Sequence, residues 1–308
     1  MPQRTLVIGE SLIDIVQRTE GPAQEHVGGS PANVAVGLAR LGHEVIFATQ
    51  VGDDERGSRI VTHCEREGIL LTEGSVGGRR TSTATATLDR TGAATYGFDL
   101  AWQLTVPPPL DGVTHVHTGS VGATIEPGAS AVLTTIQSAH ASATISYDPN
   151  ARPSLMGDAH EVRAKVEQLV GLSDVVKASD EDIAWLYDDA PLSDVLRLWG
   201  QLGPALMVVT RGDKGAVVGL GLSGELTSVD AAVIDVVDTV GAGDSFMAGL
   251  LSGLLDADLL GGVQARDRLR AASLADVRPA VARALACAAI TVSRAGANPP
   301  TRAELTTP

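Results

Sequence analysis

The 308-residue sequence contains few aromatic residues, few cysteines and no long apolar run. Phe, Trp and Tyr occur three times each, so Ala, Val and Leu must fill the interior. Cys64 and Cys287 lie in helix-like apolar patterns without a C-x-x-C partner, which favours structural burial in a reducing compartment. No apolar stretch approaches the ~18 residues of a membrane span, and the stretch before Glu10 is too short for a signal peptide. These absences predict a cytoplasmic protein without a membrane partner.

Positive charge is also scarce. The 23 Lys and Arg residues against 37 Asp and Glu residues give a formal net charge of −14 at pH 7. This balance argues against a nucleic-acid partner, because neutralising a phosphate backbone requires a basic patch. A small phosphate-bearing ligand would have to be bound by local amides, a few cations and Mg²⁺. The sequence contains no G-x-x-x-x-G-K-[ST] motif, which excludes a P-loop.

Short apolar runs alternate with helical patterns over most of the chain. The alternation begins with the run at 6–8 and a helix from Pro31, and it continues to the run at 205–210. It predicts βαβ units and an α/β fold with a doubly wound, mostly parallel sheet and helices on both faces. The length allows two domains, but one domain over 1–308 with a small appended lid explains the pattern equally well and is the organisation we predict.

One region breaks this alternation. Residues 81–88 and 93–98 are rich in Thr and β-branched residues and flank a polar turn at 89–92, which predicts a β-hairpin. Together with the first part of the chain, the hairpin is predicted to form a β-lid outside the main sheet. The lid would use two discontinuous segments, at about 12–27 and 76–104.

The segment 238–246, Asp-Thr-Val-Gly-Ala-Gly-Asp-Ser-Phe, precedes an apolar pattern that predicts a buried helix from about Ala242. Gly241 and Gly243 leave the unpaired first N–H groups of this helix open to a phosphate, which the helix dipole also favours. Asp244 can accept a proton from a hydroxyl that attacks phosphorus. Spacing alone slightly favours the alternative that Asp244 is only a helix cap.

This segment resembles the C-terminal signature of the ribokinase-like (PfkB) family of carbohydrate kinases. The resemblance implies that Asp244 is the catalytic base and that the amides of Gly241, Ala242 and Gly243 form the anion hole. A second segment, 27–42, is by its residues a helix that Ser30 caps and Gly42 ends. It resembles the N-terminal signature of the same family, in which the glycines and the Asn line the sugar pocket. The corresponding residues are Gly28, Gly29 and Asn33.

Two further turns gain a role from the resemblance. Asp14 follows the first strand, where a carboxylate can be a turn residue; in the family the acid at this position holds sugar hydroxyls, and we favour that role. The role of Glu10 stays open. The turn 148–153, Asp-Pro-Asn-Ala-Arg-Pro, is by itself a Pro/Asn turn. Its resemblance to fructokinase-like members implies that Arg152 lies near the transferred phosphate or the substrate.

The resemblance also implies a nucleotide site and two ion sites. Nucleotide contacts are expected from Lys177 and Ser179 after one strand, although either Ser179 or Asp180 could equally cap a helix and the family usually carries Asn at 179. The nucleotide loop would include Thr210, Gly212 and Gly215, and Asp182 would lie on the water shell of Mg²⁺. A monovalent cation, K⁺, would be held near Asp238, Val240, Arg294 and Gly296.

These implications together predict an ATP-dependent sugar kinase that phosphorylates a primary hydroxyl, with sugar and ATP as its partners and a homodimer as its assembly. The motifs look most like those of fructokinases. Ketodeoxygluconate kinase and ribokinase are alternatives, and a sugar-sensing protein that binds without turnover is an alternative of another class. The lid residue that faces the sugar could be Arg79, Arg80, Phe98 or Trp102.

Overall fold

The computed structural model describes residues 3–18, 21–78, 80–88 and 94–305. The strands in chain order are β1 (Arg4–Ile8), β2 (Leu12–Arg18), β3 (Gln24–Gly28), β4 (Glu44–Ala48), β5 (Val51–Gly52), β6 (Leu70–Leu71), β7 (Val76–Gly78), β8 (Ser82–Leu88), β9 (Ala94–Asp99), β10 (Val113–Gly119), β11 (Thr144–Asp148), β12 (Val175–Ser179), β13 (Leu206–Thr210), β14 (Ala216–Leu220) and β15 (Leu226–Val229). The helices are α1 (Ser30–Arg40), α2 (Glu55–Arg66), α3 (Gly128–Ala139), α4 (Pro153–Met156), α5 (Ala159–Leu172), α6 (Asp180–Leu186), α7 (Leu192–Leu202), α8 (Ala242–Asp256), α9 (Val263–Ala271), α10 (Leu274–Val292) and α11 (Arg302–Leu305).

The main sheet has nine strands in the order β15-β14-β13-β12-β11-β10-β1-β4-β6. Strands β13 to β6 are parallel in this order, whereas β14 and β15 add an antiparallel edge. Side chains alternate between the two faces, so Val7 joins one apolar cluster while Leu6 and Ile8 join the other. Helices α1, α8 and α10 contribute to the first cluster, and α3, α5 and α7 to the second. The predicted α/β fold with a mostly parallel sheet is confirmed.

Small residues let α1 and α8 approach closely on one face of this sheet. A Cβ added at Gly37 of α1 would lie 2.5 Å from the Cβ of Ala248 in α8. Further along α8, a Cβ at Gly253 would lie 2.5 Å from Cα of Ala280 in α10. The close packing follows from a sequence rich in Gly and Ala and poor in aromatics, and it brings the N-termini of α1 and α8 together.

A separate four-stranded sheet has the order β3-β2-β8-β9. Strands β2 and β8 are parallel, and the other two pairs are antiparallel. The register aligns His26, Asp14, Ala84 and Phe98 in one row across the four strands, so their side chains share one face. This sheet, hereafter the small sheet, uses the segments predicted for the lid; its action as a lid stays a prediction. Within the described residues, no helix is long and apolar enough to cross a membrane.

Candidate active site

Asp244 lies where the first turns of α1 and α8 meet. Its Oδ1 accepts a hydrogen bond of 2.7 Å from the Ser30 hydroxyl, and its Oδ2 accepts one of 2.8 Å from the Asn33 side-chain amide. The side chain is buried, with the residue 8% exposed. The prediction that Ser30 caps α1 is wrong, since Gly29 occupies the cap position and the Ser30 hydroxyl is used by Asp244 instead. Two side chains of α1 therefore fix the orientation of the carboxylate and leave each oxygen a further lone pair.

The start of α8 matches the sequence-based expectation. Gly241 is the N-cap residue in a left-handed conformation, with φ of 74°, and a Cβ there would lie 2.6 Å from the Cβ of Ala297. Both facts require glycine at 241. The N–H of Ala242 donates to the Thr239 carbonyl at 3.2 Å, so the preceding turn already engages one of the three predicted anion-hole amides. The N–H groups of the first turn otherwise lack partners within the helix, as at any helix start.

Lys177 lies beside this helix start. A Cβ added at Gly243 would lie 3.0 Å from the Lys177 Nζ, so the ammonium reaches the first turn of α8. The Nζ also donates to the Asp148 Oδ2 at 2.9 Å, and the side chains are only 4% and 1% exposed. Burial opposes the charge on Lys177, but the carboxylates of Asp148, Asp182 and Asp244 outweigh it and raise the lysine pKa. The site therefore holds a buried cation next to predicted phosphate-binding amides.

The turn after β12 is occupied by a helix cap. The Ser179 hydroxyl accepts the N–H of Asp182 at 3.0 Å, and the Asp182 Oδ2 accepts the N–H of Ser179 at 2.8 Å. This reciprocal pair is a capping box at the start of α6. The Asp182 Oδ1 accepts the N–H of Ala151 at 2.7 Å, which ties the turn after β11 to α6. Ser179 thus fills the capping role that its sequence position allowed, and Asp182 stands close to the 148–153 turn.

Arg152 is exposed and folds back on its own turn. Its Nη1 donates to the Asn150 carbonyl at 3.1 Å, to the Asn150 Oδ1 at 2.8 Å and to the Ala151 carbonyl at 2.9 Å. The turn itself is formed by the Asn150 N–H, which donates to the Asp148 Oδ1 at 3.2 Å. Its positive charge partly offsets the burial that raises the pKa of both Glu10 and Asp14, so Arg152 acts electrostatically on the same site.

Asp14 and Gly28 fit against each other on the small sheet. A side chain at 28 would overlap the Asp14 Oδ2, so glycine is needed for the carboxylate to occupy its place. Burial raises the pKa of Asp14 to about 6, helped by the nearby charge of Asp244 and opposed by His26 and Arg152. Asp14, Asp244 and Arg152 therefore share one electrostatic environment. His26 was not predicted as a site residue, because only the strand register reveals that it faces Asp14.

Glu10 is buried at the end of β1, and its Oε2 accepts the N–H of Gly122 at 2.8 Å. Burial is the main cause that raises its pKa to about 7, against hydrogen bonds from Ser120 and Gly122. Gly122 also accepts, at its carbonyl, a 2.8 Å hydrogen bond from the Trp102 indole. Trp102 is thus a buried packing residue in the segment that leaves the small sheet.

The other lid candidates differ in position. Arg80 pairs with Asp99 at the surface, whereas Phe98 lies in the same row as Asp14. Arg79 and the predicted turn 89–92 lie outside the described residues.

The predicted nucleotide loop follows β13. Thr210 is the register partner of Ser179 and donates its hydroxyl to the Ala178 carbonyl at 3.3 Å. Gly212 begins a short 3₁₀ turn, and the Gly215 carbonyl accepts the N–H of Arg211 at 2.7 Å to close it. The ends of β12 and β13 therefore bring the predicted nucleotide residues to the same edge of the sheet as Lys177.

The predicted cation loop is a compact unit beside Gly241. The Asp238 Oδ1 accepts the N–H of Val240 at 3.0 Å, and its Oδ2 accepts the N–H of Gly296 at 2.8 Å. The Arg294 side chain points elsewhere and pairs with Glu304. The structure thus joins Asp238, Val240 and Gly296, and it does not bring the Arg294 side chain to them.

Comparisons with known proteins identify the family to which the chain is similar. Residues 3–304 match the model of the pfkB family carbohydrate kinases. A fructokinase of Klebsiella pneumoniae is 34% identical over an alignment of 257 residues that covers 80% of this chain and 83% of that protein. A probable fructokinase-4 of Arabidopsis thaliana is 32% identical over 98% of this chain and 96% of that protein. The crystal structure of a fructokinase double mutant from Vibrio cholerae O395, bound to fructose, ADP and a potassium ion, has a TM-score of 0.81 at 26% identity, covering 98% of this chain and 97% of that one.

The resemblance carried by the segments 27–42 and 238–246 is therefore confirmed over nearly the whole length. Similarity at this level identifies a phosphotransferase that acts on a sugar. The chain belongs to the pfkB family of carbohydrate kinases.

Proposed function

We propose that this carbohydrate kinase is a fructokinase that uses ATP to phosphorylate a primary hydroxyl of fructose. The observation that carries the proposal is the oriented carboxylate of Asp244, held by Ser30 and Asn33 beside the start of α8. A base fixed next to unpaired amides suits a hydroxyl that attacks phosphorus. The fructokinase relatives support fructose as the sugar, and the fructokinase structure with fructose and ADP supports the pair of ligands.

The bonds that form and break in the proposed phosphoryl transfer can be assigned to groups of this site. The fructose hydroxyl oxygen forms a bond to the γ-phosphorus and gives its proton to Asp244. The bond between the γ-phosphorus and the bridging oxygen breaks, and the electron pair leaves with ADP. The amides of Gly241 and Gly243 and the ammonium of Lys177 stabilise the charge on the phosphoryl oxygens, and the Ala242 N–H, which donates to the Thr239 carbonyl at 3.2 Å, can share its proton with them. Because phosphoryl transfer has a loose transition state, positioning supplies most of the rate.

The sugar and nucleotide halves of the site come from different elements. The sugar is bound by Asp14, Gly28, Gly29, Asn33 and Arg152. The Asp14 carboxylate accepts hydrogen bonds from the sugar hydroxyls. The nucleotide site is lined by Lys177, Ser179, Thr210, Gly212, Gly215 and Gly243. The small sheet acts as a lid that excludes water, since water would otherwise waste ATP. We also propose a homodimer and a cytoplasmic location.

Two ions complete the proposal. The two Asp182 oxygens each accept one amide and keep a lone pair, so the residue fits contact with Mg²⁺ through water. Mg²⁺ would neutralise charge on the nucleotide phosphates when bound. The carbonyl and carboxylate oxygens around Asp238, Val240, Arg294 and Gly296 suit a monovalent cation such as K⁺, which accompanies the Vibrio cholerae structure.

A coupled assay of ATP consumption with fructose, ribose, ketodeoxygluconate and adenosine tests this function. We expect the highest kcat/KM with fructose. A higher value with ketodeoxygluconate or ribose would move the assignment to another member of the family. Fructose binding in calorimetry without any ATP turnover would instead identify a sugar sensor.

A further inference from the structure

Within the described part of the chain, two ion pairs have both partners nearly inaccessible to solvent. Lys177, in the middle of β12, meets Asp148 at the carboxyl end of β11, while Asp174 and Arg266 meet before the start of β12, at the opposite edge of the sheet. A buried ion pair pays a large desolvation cost that its attraction only partly offsets, so its presence is weak evidence for a stabilising role. The presence of each pair therefore needs a physical explanation other than the attraction between its two charges.

The Asp174–Arg266 pair is explained by structure alone. Arg266 donates to the Asp174 carboxylate at 2.7 Å and to the carbonyls of His140 and Ala143 at 2.9 and 2.6 Å. The other Asp174 oxygen accepts the N–H of Ile145 at 2.8 Å. These contacts tie α9 to the end of the sheet and give each guanidinium nitrogen of Arg266 and each carboxylate oxygen of Asp174 a partner.

The Asp148–Lys177 pair differs, because the lysine ammonium has N–H groups that its bond to Asp148 does not use. Among the described residues, Asp148 is the hydrogen-bond partner of the Lys177 Nζ, whose ammonium carries three N–H groups. The same Nζ lies 3.0 Å from the position of a Cβ at Gly243, which is in the first turn of α8. A buried cation with unused donors beside the amides of a helix start is arranged to meet an anion.

Asp148 is itself held firmly. Its Oδ1 accepts the N–H of Asn150 at 3.2 Å, and its carbonyl accepts the N–H of Ser120 at 2.9 Å. Lysine is a compact charge on a flexible stem, so its position depends on what its ammonium contacts. Asp148, whose carboxylate is held by its own turn and whose main chain is held by Ser120, supplies that contact.

We propose that Asp148 is a positioning residue that keeps the Lys177 ammonium charged and directed at the phosphoryl group bound at the start of α8. This inference rests on the proposed kinase function, because it assigns the anion as the transferred phosphoryl group of ATP. Asp148 touches neither substrate nor the reacting atoms, and it acts through Lys177. The other groups that act on the lysine charge are the carboxylates of Asp182 on α6 and Asp244 on α8, with His117 on β10 at the same site.

The test compares Asp148→Asn with the matched control Asp174→Asn in the full-length protein. Asn keeps the size and an acceptor oxygen but removes the charge. We expect Asp148→Asn to lower kcat at least tenfold and to weaken ATP binding in calorimetry at least tenfold, with KM for fructose within twofold. The activity should also decline at a lower alkaline pH than in the wild type, because loss of an adjacent anion lowers the pKa of Lys177. Asp174→Asn should lower Tm while keeping the wild-type pH profile.

An Asp148→Asn variant with wild-type ATP affinity and pH profile would overturn the inference. If that variant does not fold, Asp148→Asn is made in a Lys177→Met background, where both charges are removed. There the substitution should change kcat and ATP affinity less than twofold, and a further tenfold loss would also overturn the inference. Failure of the proposed function has a different signature, since the wild type would then consume no ATP with any of the four substrates tested.

Discussion

The Asp244 carboxylate lies 2.8 Å from the side-chain amide of Asn33, although 211 positions of sequence separate the two residues. One residue belongs to the segment expected to line the sugar pocket, and the other to the segment expected to bind phosphate. Their hydrogen bond, with that of Ser30, connects the two halves of the site at the carboxylate.

Replacing Asp244 by Asn should lower kcat by ~10²–10⁴-fold, because general-base catalysis contributes about that much. KM for fructose should remain within about threefold, since Asn keeps the size of the side chain, its oxygen can still accept from Asn33, and its amide can donate to the Ser30 hydroxyl. Steady-state kinetics at saturating ATP measure both. The matched control is Asp256→Asn at the other end of α8, where the carboxylate pairs with Arg283 and Arg302 and kcat should be unaffected. An Asp244→Asn enzyme with full kcat would contradict the assigned base.

Replacing Gly28 by Ala should raise KM for fructose at least tenfold. The added methyl would overlap the Asp14 Oδ2 and displace the carboxylate from its place on the small sheet. The control is Gly97→Ala in β9 of the same sheet, where a Cβ meets no atom within 4 Å. Equal KM values for the two variants would mean that Asp14 does not contact the sugar.

The affinity for fructose should decrease as the pH falls through about 6. Burial raises the pKa of Asp14 to about 6, so the carboxylate that accepts hydrogen bonds from sugar hydroxyls becomes protonated below that pH. KM for fructose should then increase about tenfold for each further pH unit. In Asp14→Asn, KM should be high and independent of pH over this range. A wild-type KM that is the same at pH 5 and pH 7 would remove Asp14 from the sugar site.

Glu10 should make the protein less stable as the pH rises. Burial raises the pKa of its folded-state carboxyl from 4.5 to about 7, so between these values the folded protein holds a proton that the unfolded chain has lost. Stability is therefore lost as pH increases through this window, by on the order of 3 kcal/mol. Glu10→Gln keeps an acceptor for the Gly122 N–H and should raise Tm relative to the wild type at pH 8 but not at pH 4. Thermal unfolding of both proteins at the two pH values measures the effect, and a difference in Tm between the two proteins that is the same at pH 4 and pH 8 would contradict it.

Sequence patterns predicted the parts of this molecule that depend on local spacing. The start of α8 at Ala242 follows from two glycines and the apolar residues behind them, and the mostly parallel sheet follows from alternating strands and helices. Ser30 shows where local reasoning fails, because a hydroxyl at a helix start can bond its own backbone or a distant carboxylate. The contact between Asp148 and Lys177 depends on β11 and β12 being neighbours, which the order of elements along the chain does not fix.

Ser179 and Asp182 show both what local sequence can predict and what it cannot. Ser179 and Asp182 form a local capping box whose geometry is contained in four residues, and the sequence allowed that role. The Ala151 amide, in contrast, reaches Asp182 from another strand end. Only the assembled sheet shows that one carboxylate serves both.

The close approach of Gly37 to Ala248 has a consequence for biosynthesis. One side of α1 packs against α8, which leaves the ribosome long after α1 does. Until α8 has been synthesised this side of α1 has no helix against it, and the first apolar cluster is complete only after α10 has emerged. The contact between α1 and α8 therefore joins parts of the chain that are made far apart in time.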